Sequence, residues 1–102
     1  MKPAVARCHL LAEVLSADGL MSDSERDMLE HTMTELGLDD TDRDLVRHFE
    51  QTAGAAEVMA TLSPAERQAF VDSLVEAALV DGKLTPNETA TVKRITQAVG
   101  LD

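Results

Sequence analysis

The sequence predicts an all-α fold, a compact helical domain in which two helical hairpins are related by a pseudo-twofold. Three observations predict it. Apolar residues recur at spacings of three and four with no period-two alternation, capping-box pairs open the segments, and glycines close them.

In chain order, Val5, Cys8, Ala12 and Leu15 form a first helical stripe. Met28, Leu29, Thr32, Met33 and Leu36 form a second, and Leu45, Val46, Phe49 and Ala53 a third. A short Ala-rich piece follows. Phe70, Val71, Leu74, Val75 and Ala78 then define a long helix, and Val92, Ile95 and Val99 define the last. Ser22 to Glu25, Ser63 to Glu66 and Thr85 to Glu88 all have the capping-box spacing, with Pro64 and Pro86 at the first helical position. Gly19, Gly37, Gly82 and Gly100 stand where stripes end, as a left-handed C-terminal cap requires.

Composition sets the class. A chain of 102 residues reads as one domain spanning 1–102, and 44% apolar content suffices for a core. With two Phe and no Trp or Tyr, that core must be assembled from many small side chains. Nineteen acidic residues against nine basic ones give a net charge of −10, so phosphate backbones and anionic lipids are repelled. No nucleic acid is expected as partner. A single cysteine forms no internal disulfide, and no apolar stretch approaches the ~20 residues of a membrane span. Lys2 and Arg7 precede only a short apolar run broken by Glu13, which is not a signal-peptide pattern. A cytoplasmic chain without direct membrane insertion is expected.

The most informative feature is an internal repeat at an offset of 63 residues, which aligns 11–39 with 74–102. Leu11/Leu74, Glu13/Glu76, Asp18/Asp81, Gly19/Gly82, Glu25/Glu88, Gly37/Gly100, Leu38/Leu101 and Asp39/Asp102 are identical. The matched residues include three acids per copy, in the pattern Glu-x4-Asp-Gly-x5-Glu. Two such hairpins would bring six carboxylates toward one place.

Asp81-Gly82 through Glu88 fits the second half of an EF-hand loop, but the first half fails. Its leading oxygen ligands would have to be Ala77 and Leu79 in one copy and Val14 and Ser16 in the other. Asp72-Ser73-Leu74 copies the tripeptide that bears the prosthetic arm in acyl carrier proteins. Ser73, however, falls about ten residues into the helix capped by Ser63 rather than at a helix start.

A better match is carried by Leu11-Ala12-Glu13-Val14-Leu15-Ser16-Ala17-Asp18-Gly19 with Glu25, and by Val75-Glu76-Ala77-Ala78-Leu79-Val80-Asp81-Gly82 with Glu88. These segments resemble the TerB-like family, named for bacterial tellurite resistance and also found as a domain of some membrane-anchored J-domain co-chaperones. The likeness spans Pro3 to Asp102. It implies an all-helical fold with internal duplication, an acidic cluster that binds a metal ion, and a role in stress-response complexes. Carried onto this chain, the cluster is Glu13, Asp18, Glu25, Glu76, Asp81 and Glu88. Their hard oxygen donors suit calcium or magnesium better than zinc.

Each acid also has an ordinary structural role open to it. Glu25 and Glu88 stand at the N3 position of capping boxes, Asp18 and Asp81 precede glycine in turns, and Glu13 and Glu76 can face solvent. Beyond the repeat, Asp18 to Asp44 holds ten acids against Arg26 and Arg43, which is a solvated face or a docking surface for a basic protein partner. Outside the repeated acids this stretch is expected to be exposed. Asp27/His31/Glu35 and Asp44/His48 have i,i+4 spacing, suited to exposed ion pairs or a metal clasp. Cys8 lies on a buried stripe beside no activating base, as a packed thiol does. The reading is a non-enzymatic domain that binds a divalent cation, a protein partner, or both; the alternative is an interaction module without metal. Oligomeric state is not readable from this pattern.

Overall fold

The computed structural model describes residues 2–17, 19, 21–47, 55–79 and 82–101, and among these it contains six helices and no strand. Asp18, His48, Phe49, Ala53, Val80, Asp81 and Asp102 lie outside the described residues. The helices are α1 (Pro3–Leu15), α2 (Asp23–Glu35), α3 (Asp40–Arg47), α4 (Ala55–Met59), α5 (Pro64–Ala78) and α6 (Pro86–Ala98).

Helix starts follow the cap residues. Ser22 Oγ accepts the Glu25 amide at 3.1 Å while Glu25 Oε1 accepts the Ser22 amide at 2.9 Å, a complete capping box for α2. Thr85 and Glu88 repeat it on α6 at 3.1 and 3.0 Å. The box at α5 is incomplete. Ser63 Oγ accepts the Glu66 amide at 3.2 Å, but the Glu66 carboxylate takes the Ser63 hydroxyl at 2.9 Å instead of the cap's backbone amide. An exposed carboxylate is free to choose the nearer hydroxyl. A cap absent from the sequence reading opens α3, where Asp39 Oδ1 accepts the Asp42 amide at 2.8 Å.

Two helices, α2 and α6, end in left-handed glycine caps, whereas Gly19 and Gly82 lie three residues beyond the cap residues Ser16 and Leu79 of α1 and α5, in the turns that follow. At Gly37, φ is +72°; the Leu38 amide reaches Met33 O at 3.1 Å and the Gly37 amide reaches Thr34 O at 3.1 Å. This is the Schellman pattern, which satisfies two orphan carbonyls. Gly100 (φ +82°) closes α6 in the same way, through Leu101 to Thr96 and Gly100 to Gln97.

The core is organised around α1, which packs against each of the other five helices. Nine of its residues are buried, including Leu10, Leu11 and Val14 in addition to the expected stripe. Such all-round burial suits a helix enclosed by others. The second, long-helix and final stripes pack inward through Leu29, Met33, Phe70, Leu74, Ile95 and Val99. The third stripe is only partly correct: Val46 is buried, whereas Leu45 is 54% exposed. The inward face of α3 runs through Asp42 and Val46, four residues apart, and Leu45 lies off it.

Asp42 corrects the expectation of exposure across the acidic stretch. It is buried, and Lys2 Nζ donates to its Oδ2 at 3.0 Å, so one acid of this stretch ties α3 to the start of the chain. Glu30 is half-buried because Arg47 donates to its Oε1 at 2.6 Å. The remaining non-repeated acids among the described residues of this stretch are exposed. A radius of gyration of 12.4 Å matches the roughly 13 Å expected of a compact chain of this length.

Candidate functional site

The turns that precede α2 and α6 carry Gly19 and Gly82, both at φ +107°. A Cβ at either would meet nothing within 4 Å, so glycine is demanded by the backbone conformation and not by space. Three residues beyond each glycine comes the cap hydroxyl of Ser22 or Thr85, and three beyond that the glutamate of the box. The two boxes face each other. Glu25 is 8% exposed and Glu88 3%, and the carboxyl groups lie within hydrogen-bonding reach.

A buried carboxylate is costly unless its oxygens are paired. One oxygen of each is: Glu25 Oε1 and Glu88 Oε1 hold the cap amides, and both stand in the first turn of a 13-residue helix, where the helix dipole favours negative charge. The other oxygen of Glu88 is different. Glu88 Oε2 is buried and receives no donor from the described residues. Burial, and then the neighbouring Glu25, push the Glu88 carboxyl above the usual carboxylate range, against the opposing pull of the Thr85 amide. A proton or a cation on Glu88 Oε2 would relieve that crowding. Capping and site formation, alternatives in the sequence, are here compatible, because each carboxylate has two oxygens and the cap uses one.

The other acids of the expected cluster go elsewhere. Glu13 is ion-paired to Arg94, joining α1 to α6. Glu76 is exposed on α5, on the wall of a groove shared with Arg7, Met28 and Glu35. Among the described residues no three His, Cys, Asp or Glu side chains are grouped as metal ligands, so neither joins the Glu25–Glu88 pair. Asp18 and Asp81, which precede the two turn glycines, lie outside the described residues. Two of the six expected residues therefore meet and two diverge.

The remaining sequence candidates resolve as structure. His31 pairs with Glu35 at an exposed position on α2, and His48 lies outside the described residues. Cys8 is fully buried, and burial pushes its thiol up to about 11, which removes the thiolate needed for reactivity. Burial also lowers the His9 imidazole below its ordinary value. Ser73 lies mid-helix, donating to Phe70 O at 2.6 Å and accepting from Arg7 at 3.2 Å, unlike a serine presented for a prosthetic arm. Ala77, which an EF-hand would need as a calcium ligand, is a buried residue of α5. Sequence reasoning missed Arg94 and Arg7, because no spacing rule marks a cation whose partner is on a distant helix.

Among the described residues no helix is long and apolar enough to cross a membrane. No curated protein and no solved structure matches the chain. The family model described as tellurite resistance protein TerB matches residues 4–102, the stretch that contains both turn-and-cap units. The chain therefore belongs to the TerB family.

Proposed function

We propose that this chain is a non-enzymatic, cytoplasmic TerB-type stress-response domain that binds calcium or magnesium where the N-termini of α2 and α6 meet. Glu25 and Glu88 would hold the ion, with Asp18 and Asp81, which precede the paired turn glycines, as the further ligands. The observation that carries this reading is the buried Oε2 of Glu88, to which no described residue donates, beside a second carboxyl group. A divalent cation would supply the missing charge there, and hard oxygen donors fit it. The two capping boxes hold both carboxylates in fixed orientation, so little ordering remains for the ion to impose. The acidic exterior, at net charge −10, favours a basic protein partner.

Thermal unfolding tests the proposal. A divalent ion at 100 times its dissociation constant adds about 2.7 kcal/mol, and each kcal/mol moves the melting temperature of a domain this size by roughly 4 to 8 °C. Wild type should show a rise in millimolar calcium or magnesium that matched monovalent salt does not give. The Glu25→Gln/Glu88→Gln variant keeps a cap acceptor at both positions. It should show no such rise. Equal divalent responses from the two proteins, or none from wild type, would leave the glutamates as caps alone and favour an interaction module without metal.

A further inference from the structure

A groove whose lining includes neither glutamate of the paired boxes carries features that the metal reading does not use. Between α1 and α5 run two adjoining hollows of about 440 and 360 Å³, which share Arg7 and Leu36 in their walls; the first is bounded also by α2 and the second by Met59 of α4. Their exposed apolar surface comes from Met28 and Leu36 in one and from Pro3, Leu62 and Ala69 in the other, over a floor of the buried Leu11, Leu74, Met59 and Phe70. Glu35 and Glu76 edge the first hollow and Glu66 the second.

Arg7 sits at the junction. Its guanidinium donates to Ser73 Oγ at 3.2 Å, and no carboxylate among the described residues comes within ion-pair distance of it. Ser73 uses its own proton on Phe70 O, which leaves the hydroxyl oxygen facing Arg7 and steadies the cation. Arg7 precedes the repeated stretch, and at the same 63-residue offset the corresponding position is Phe70, so the cation is particular to this face and not part of the duplicated framework. Among the described residues, this half-buried cation in a protein of net charge −10 is left with donors to spare.

We propose that this groove docks a segment of a partner protein: apolar side chains in the two hollows, one carboxylate against Arg7, and lysines or arginines at its edges facing Glu35, Glu66 and Glu76. The charge pattern selects this occupant. A free anionic small molecule would satisfy Arg7 but meet only repulsion from the three rim carboxylates, whereas a segment of mixed charge satisfies both. From Glu66 to Ala77 the α5 wall is about 16 Å long, enough for three helical turns or about five extended residues. This surface is separate from the proposed cation site, so either reading can fail without the other.

A phage-displayed library of random 12-residue peptides, selected on the full chain, supplies the probes. Enriched peptides should carry one Asp or Glu among apolar residues with flanking Lys or Arg. By fluorescence anisotropy, Arg7→Met should weaken them at least tenfold. Exchange of the peptide's acid for its amide should weaken wild type to a similar degree and leave Arg7→Met unaffected, as a double-mutant cycle requires. The surface variant Glu35→Gln/Glu66→Gln/Glu76→Gln should weaken binding and flatten its salt dependence, which keeps the test available if Arg7→Met does not fold. No enrichment, or peptides indifferent to both variants, overturns the proposal. So does self-association of the chain that Arg7→Met abolishes, which would make the occupant a second copy. Arg7-dependent binding of decanoate as tight as that of the peptides would mark a small-molecule site, and also overturn it.

Discussion

The two copies of the repeat agree at the ends of their helices and disagree along their flanks. The turn glycines of both have φ +107°, both second helices open on complete capping boxes, and both close on Schellman glycines. The first helices differ. α1 is buried on nearly every side, whereas α5 buries Phe70, Val71, Leu74, Ala77 and Ala78 and leaves much of its surface to solvent. The equivalents of Leu10 and Leu15 are Ser73 and Ala78. Packing is free to diverge because each flank need only fit its own neighbours. A backbone at positive φ or a cap amide has few acceptable residues, and the paired glutamates depend on both.

The largest expected effect separates the flanks. Leu10→Ala empties a site that is 1% exposed and should cost about 2 to 5 kcal/mol in chemical denaturation. Ser73→Ala, at the equivalent place in α5, should cost about 1 kcal/mol or less, since it removes modest hydrogen bonds. Similar losses at the two positions would contradict the central placement of α1.

Smaller effects test the shared ends. Gly37→Ala and Gly100→Ala each force an L residue into the left-handed region, and each should cost roughly 1 to 2 kcal/mol. Gly100→Ala should be the worse of the pair, because its Cβ would stand 3.0 Å from Arg67 Nη1, which donates to Val99 O at 2.8 Å. Equal melting temperatures would show that Arg67 moves aside without loss.

The pH dependence distinguishes the centre of α1 from the start of α6 by sign. The folded-state value of His9 is depressed below 6.5, so the unfolded chain binds the extra proton, and stability should fall as pH drops below about 6.5. That of Glu88 is raised above 4.5, so the folded chain holds the extra proton. Its contribution is fully present below the unfolded value and is lost as pH rises through the folded one. In EDTA, Glu88→Gln should therefore match wild type at pH 4 and be the more stable at pH 7. A variant less stable at pH 7 would show that the carboxylate serves its cap without penalty.

The smallest effect expected is from monovalent salt. Most of the described acids between residues 18 and 44 are exposed, so screening over about 8 Å at 0.15 M should raise the melting temperature slightly. A steady fall would mean that ion pairs such as Arg47–Glu30 outweigh the repulsion.

Much of the fold was legible in the sequence because local chemistry set it. Ser22, Thr85, Pro64, Pro86 and the four glycines act through their own backbone, and spacing along the chain suffices to read them. Leu45 and Asp42 were not legible, because which face of α3 turns inward depends on α1 and Lys2, far away in sequence. The same limit applied to the site. Glu25 and Glu88 were picked out by the repeat, but period alone could not separate them from Glu13, which Arg94 claims, or Glu76, which edges the groove beside Arg7.

The central claim is that two buried cap glutamates from the two copies create a cation site. Crystals grown with millimolar calcium test it most directly, through an anomalous difference map. The account predicts a peak bonded to the carboxylates of both Glu25 and Glu88, absent in Glu25→Gln/Glu88→Gln crystals. A map with no peak between those glutamates, or with calcium only at exposed acids such as Glu76, would contradict it.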